Sequence, residues 1–211
     1  MEKRMLRIGI DLDNTVINYD AVLHAVALDE GLIGGKTPKN KTLIRNRIRS
    51  LPDGDDKWQR IQALVYGLHV SRASVFEGAF EFISGCRTRG IPVCIVSHKT
   101  PTVEIDGRRY FQRKRALNFL RKAGFFGKEG TGTIGTSVYF ASTRQEKAER
   151  IASLSITHFI DDLPEMYSHP SFPKGVVKIL FDPHGLHAQI EGVTVLRTWG
   201  DIGRQLGGTD P

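Results

Sequence analysis

Three places in the chain carry side chains that could do chemistry, and each closes an apolar run. The first is Asp11-Leu12-Asp13-Asn14-Thr15, directly after LRIGI. Two aspartates flanking one residue after a buried strand can turn both carboxylates toward one cation while Leu12 enters the core. The second is the pair Asp161-Asp162, which ends ITHFI. The third is Ser97, a hydroxyl closing IPVCIV. Ligands of open α/β sheets bind at the carboxyl edge of the strands. Four carboxylates at such an edge repel one another unless a hard cation joins them. Magnesium suits that role, because it takes a few carboxylates together with water and phosphate oxygens. Each piece alone also has a plain structural reading, as a turn or a helix cap. The ordered set, each member ending an apolar run, points to a site.

The elements that must position these groups can be read around them. LRIGIDL, IPVCIVS, TSVYFA, ITHFID, VVKILFD and VTVLRT are strand-like runs, continuous rather than alternating, as expected for strands covered on both faces. Helical patterns separate them at Phe76 to Arg89, Gln112 to Ala123 and Thr143 to Leu154. The last opens on Thr143 with Glu146 three residues on, a capping pattern. Strand–helix alternation predicts a parallel sheet with right-handed crossovers. Between Asn18 and Ala73 the alternation stops. Tyr19 to Leu32, Lys41 to Leu51 and Asp55 to Val70 read as helices, punctuated by Gly34, Gly35, Pro38, Pro52 and Gly54. The expected architecture is an α/β, Rossmann-like parallel sheet flanked by helices, made of residues 1–17 and 74–211. A small helical cap, residues 18–73, is inserted after the first strand.

Composition bounds the partners. The chain has 211 residues and a net charge of +7, which favours anionic partners of any size. Cys86 and Cys94 are its two cysteines, too few for a disulfide framework, so a reduced cytoplasm is the expected compartment. The apolar run near the N-terminus is too short for a signal peptide, and no stretch approaches the ~20 apolar residues of a membrane span.

DLDNT, the strand ending in IVS, Lys147 in STRQEKAERI, and FIDD follow one another in an order and spacing that resemble the four motifs of the haloacid dehalogenase (HAD) superfamily. The resemblance spans Asp11 to Asp162. Asn14 departs from it, since glycine is common there in that family. What the resemblance implies is a magnesium-dependent phosphatase working through an aspartyl-phosphate. Asp11 would be the nucleophile, and Asp13 the acid that protonates the leaving oxygen and then deprotonates water. Ser97, His98 and Lys147 would hold the phosphoryl oxygens, with Lys99 and Lys114 as rivals for the lysine. The metal set would be drawn from Asp11, Asp13, Asp161 and Asp162. Within it Asp162 binds directly, Asp161 acts through water or steadies Lys147, and Asp13 offers its backbone carbonyl. A halide leaving group needs no proton, so the second aspartate favours phosphoryl transfer over dehalogenation.

Two stretches bear on the substrate. Six cations and no acid lie between Lys36 and Arg49, and on a helix Arg45 and Arg49 share a face. They are candidates for selecting an anionic substrate, against the plainer reading of a solvated helix face. A second basic run, Arg108 to Lys122, has Tyr110 and Phe111 among its cations and would suit nucleic acid, although its latter half reads as an amphipathic helix. The expected substrate is a small phosphorylated metabolite such as a sugar phosphate or nucleotide. A phosphatase acting on nucleic-acid ends is the alternative, and a non-catalytic HAD-like binding module stands behind both.

Overall fold

The computed structural model of the chain describes residues 5–126 and 136–207. Six strands form one sheet: β1 (Ile8–Ile10), β2 (Val93–His98), β3 (Ser137–Ala141), β4 (His158–Asp161), β5 (Val177–Phe181) and β6 (Val193–Leu196). Their order is β6-β5-β4-β1-β2-β3, with every neighbouring pair parallel. The chain builds outward from β1 through β2 and β3, then returns to its other side and builds outward again through β4. β1 therefore lies at the point where the strand order reverses, and Asp11 follows its last residue.

All three residues of β1 are buried, and so are the inner parts of β2, β4 and β5. This accounts for the continuous apolar runs. Gly9 is dictated by packing, because a Cβ there would sit 2.7 Å from the Phe159 ring on β4. Helices Ala79–Thr88, Arg144–Ser153 and Trp199–Gln205 accompany the sheet. Thr143 caps the second of these by accepting the Glu146 N–H at 3.0 Å. The Glu146 carboxylate reaches back to the Ser142 N–H, at 2.7 Å. Both cysteines are free and buried.

The chain divides into two compact units, residues 1–16, 75–99 and 125–211 in the first and 17–74 with 100–124 in the second. The sheet belongs to the first. The second contains helices Asp20–Asp29, Lys41–Arg49 and Gly54–Ala63, the last running on into a π-helical turn, Leu64–Leu68. Ile44, Ile48, Trp58, Ile61 and Val65 are buried there, whereas Leu51 and Leu68, expected on the same two apolar faces, are half-buried. Asp20 ties two of these helices by accepting the Lys41 N–H at 2.9 Å.

Residues 100–124 correct the expected boundaries, which gave all of 74–211 to the core. This segment is a hairpin, Val103–Ile105 paired antiparallel with Arg108–Tyr110, followed by the helix Gln112–Lys122. The helix packs on Leu64–Leu68 and Val70–Arg72. Gly67 admits the hairpin, since a Cβ there would meet Val103 Cγ1 at 2.8 Å. From sequence the helix looked like the crossover between the second and third strands. Its apolar stripe shows that it packs on something but does not say on what.

Candidate active site

The register of the sheet brings the motif residues together. Ile10 lies opposite Ile95 of β2 on one side and Ile160 of β4 on the other. The next residue, Asp11, donates its N–H to the Ile160 carbonyl at 2.8 Å. Continuing the register sets Asp11 beside Val96 on one side and Asp161 on the other, at the carboxyl edge of the sheet. The chain then turns through Asn14, whose φ is 64°, the left-handed region that asparagine and aspartate tolerate better than most residues with a Cβ. That conformation explains how asparagine can stand at a position where glycine is usual in the resembled family. Thr15 is fully buried, and its carbonyl accepts a hydrogen bond from the Trp199 indole at 3.3 Å, which pins the turn to the core.

Lys147 is the centre of the cluster. Its Nζ lies 2.5 Å from Asp11 Oδ1 and 2.7 Å from Asp161 Oδ2, with 3 % of the residue exposed. The ammonium also sits over the Phe159 ring, 5.2 Å from its centre. Burial alone would lower the lysine's pKa, but the Asp11 and Asp161 carboxylates outweigh it and hold Lys147 firmly charged. Asp161 has both oxygens engaged, because Oδ1 accepts the Leu163 N–H at 2.9 Å. Burial pushes the Asp11 carboxyl up to about 6; Lys147 opposes the shift, and Asp161 and Asp13 add to it. Burial raises Asp161 too. The cluster thus holds more negative charge than one ammonium balances.

Asp11, Asp161 and Asp162 each present a carboxylate oxygen within 4.8 Å of the others, an arrangement that could hold a metal ion. A hard cation fits this set, since the donors are all oxygens and the burial that raises Asp11 is relieved by positive charge. Asp13 is outside the group. Its Oδ2 pairs with Lys99 Nζ at 2.7 Å, and its Oδ1 is buried without a hydrogen-bond partner among the described residues. Ser97 Oγ is likewise buried and unpartnered among the described residues.

The structure divides the rest of the expected set. The ring of His98 is exposed and its Nε2 meets the Ser142 carbonyl at 3.0 Å, apart from the carboxylates. Lys99, 4 % exposed, is the residue that sequence reasoning placed too low. Alternation along a strand points His98 away from the side that Ser97 and Lys99 share, a signal present in SHK all along. Lys114 is exposed on a helix of the second unit. In that unit Arg49 pairs with Asp55 at 2.8 Å, and Arg45 Nε reaches Asn46 Oδ1 at 3.4 Å.

Solved structures resemble this chain over nearly its full length. A HAD family hydrolase from Deinococcus radiodurans R1, solved with bound phosphate and sodium, is 17 % identical with a TM-score of 0.56, covering 96 % of this chain and 95 % of its own. The HAD-hydrolase YfnB from Bacillus subtilis, bound to magnesium, is 14 % identical with a TM-score of 0.53, covering 97 % and 100 %. The fold is that of the haloacid dehalogenase superfamily. A protein described as a dehalogenase matches as well, at 10 % identity and a TM-score of 0.57 over 99 % and 100 % of the two chains. The HAD fold alone therefore does not choose between a phosphoryl and a halide substrate. No protein-family model matches the sequence, and no curated protein does. No helix among the described residues is long and apolar enough to cross a membrane.

Proposed function

We propose that the protein is a magnesium-dependent phosphomonoesterase that uses Asp11 as nucleophile on a small phosphorylated metabolite. The observation that carries this reading is Asp13. A second carboxyl two residues from the nucleophile, clamped at one oxygen and unpartnered at the other, is what a leaving alkoxide requires and a leaving halide does not.

The steps follow from the side chains present. Lys147 occupies Asp11 Oδ1, whereas Oδ2 has the Thr15 hydroxyl at 3.5 Å. Oδ2 attacks phosphorus, the bond from phosphorus to the ester oxygen breaks, and Asp13 gives its proton to that oxygen. Water then attacks the phosphoryl group on Asp11, and Asp13 takes the proton it releases. The bond from phosphorus to Asp11 breaks, which frees phosphate and restores both carboxyls. Ser97 and Lys147 offer a hydroxyl and a fixed charge to the phosphoryl oxygens, the kind of preorganised stabilisation on which phosphoryl transfer depends. Asp11 and Asp162 would hold the magnesium ion, with Asp161 committed to Lys147 and Leu163. When bound, the ion neutralises charge on the phosphoryl oxygens.

Hydrolysis of an aryl phosphate should require magnesium and stop on chelation, with recovery when the ion is restored. Undiminished turnover in metal-free buffer would remove magnesium from the proposal.

Lys99 enters as the residue that positions Asp13. Asp13→Asn should slow an alkyl phosphate by ~10²–10⁴, the usual span for general acid catalysis, and an aryl phosphate with a good leaving group much less. Lys99→Met should show the same dependence on leaving group in weaker form, ~10-fold or more on the alkyl ester, with Lys99→Arg restoring part of it. Equal losses on both substrates in Lys99→Met would assign Lys99 a different role.

A further inference from the structure

The net charge of the chain is not shared between its units. The second unit carries 16 Lys and Arg against eight Asp and Glu, a net +8. The remaining 14 and 15 leave the first unit at −1, which together accounts for the +7 of the whole. Some cations of the second unit have acidic partners: Arg49 pairs with Asp55, and Arg60 pairs with Glu30 and Asp106. The stretch from Gly107 to Phe126 has the most one-sided composition. It holds seven cations and no acid.

The helix Gln112–Lys122 organises that stretch. Gln112, Ala116 and Leu120 are its buried face. The outward face is a stripe at three- and four-residue spacing, running from Phe111 through Lys114 and Arg115 to Asn118, Arg121 and Lys122. Phe111 is 56 % exposed, an aromatic ring offered to solvent at the head of the helix. Arg115 stacks over the neighbouring Tyr110 ring, 5.3 Å from its centre. Lys114 and Lys122 have no ion pair with an acid among the described residues. Cations in the last turn, Arg121 and Lys122, suit the negative end of the helix dipole. Arg113 and Lys114 do not, because they stand in the first turn, at the positive end of the dipole, where a cation is disfavoured. Helix stability therefore does not account for them.

We infer that this stripe is a binding surface for single-stranded nucleic acid. Cations along one face track a phosphate backbone, and an exposed aromatic ring stacks a base without regard to its identity. Eleven residues of helix separate Phe111 from Lys122, about 16 Å, long enough to meet several phosphates of one strand. An anionic membrane is the poorer fit, since a helix lying in a membrane surface needs a free apolar face, and the apolar face here is already packed.

The test is fluorescence anisotropy of the full chain with a 5′-labelled 20-nucleotide oligothymidylate across a salt series, with circular dichroism melts to verify that each variant is folded. Binding should weaken steeply as salt rises. The quadruple variant Lys114→Gln, Arg115→Gln, Arg121→Gln, Lys122→Gln should lower the slope of log K against log salt by about 3, at ~0.7 for each phosphate that is no longer neutralised. Phe111→Ala should weaken binding about tenfold with the slope unchanged, as expected for loss of one stacked base. Absence of binding at about 50 mM salt, a quadruple variant that binds as wild type does, or Phe111→Ala without effect would each overturn the inference. So would binding to phosphatidylserine vesicles with none to the oligonucleotide. None of these readouts uses turnover, so they stand apart from the proposed phosphatase activity.

Discussion

Asp11→Asn should eliminate both turnover and any phosphorylated enzyme, and it should not destabilise the metal-free protein. The loss in kcat is expected to be at least ~10³-fold, because an amide oxygen cannot replace the attacking carboxylate. Acid quench and mass mapping of the wild type should find phosphate on Asp11 alone. The stability half of the prediction comes from charge. The folded Asp11 carboxyl titrates at about 6 rather than at the 3.8 of an unperturbed aspartate. A raised acid pKa means that the folded state binds protons more tightly than the unfolded state between those two values. Metal-free stability is then highest below the lower pH and falls as pH rises through the upper one. A difference of that size corresponds to about 3 kcal/mol. Asparagine carries no charge to desolvate, so thermal melts in chelator should fall less from pH 5 to 7.5 in the variant. Added magnesium should raise the wild-type melting temperature more than that of the variant. Phosphate mapped to another residue would remove Asp11 from its role. A wild-type melting temperature that is flat across this pH range would refute the charge argument.

Lys147→Met should damage both stability and catalysis. Methionine can keep the stem over Phe159, but Asp11 and Asp161 lose the cation that both touch. Removing one partner from a buried ion-pair cluster costs about 3–5 kcal/mol, because the remaining charges are left desolvated. The cost should be smaller near pH 5, where the two acids can take up protons instead. Turnover should fall by ~10²–10³, the size seen when one fixed donor is removed from a charge-stabilising site. The double variant Lys147→Met with Asp161→Asn separates the two effects, since it should recover part of the stability and none of the turnover. If Lys147→Met melts and turns over like the wild type, the phosphate lysine must be sought at Lys99.

The parts of the fold that could be read from the sequence were those in which one local pattern has one structural meaning. Continuous apolar runs gave six strands, and the acids that close two of them fell at one edge because parallel strands end together. Lys147 could be placed by its position before FIDD. Two features were harder, for separate physical reasons. The helix Gln112–Lys122 has the apolar stripe of any packed helix, and a stripe carries no address; only its packing on Leu64–Leu68 and Val70–Arg72 reveals its unit. Lys99 was hidden because a lysine at a strand end is normally solvated. Its burial depends on the carboxylate that Asp13 presents from the turn after β1, 86 positions earlier in the chain.

Neither unit is a continuous piece of chain, and this governs how the molecule can be made. During synthesis β1 emerges early but waits for Val93–His98 to pair one edge and for His158–Asp161 to pair the other. The second unit begins at residue 17 yet lacks its closing helix until Gly124 has left the ribosome. Loop closure of this length precedes the interactions that reward it, so folding should be slow for the chain's size and late relative to synthesis. A nascent chain stalled near residue 100 holds a helical unit without its hairpin and a sheet with two strands. Truncation at any single point severs one unit or the other, so neither can be obtained alone by shortening the gene from one end.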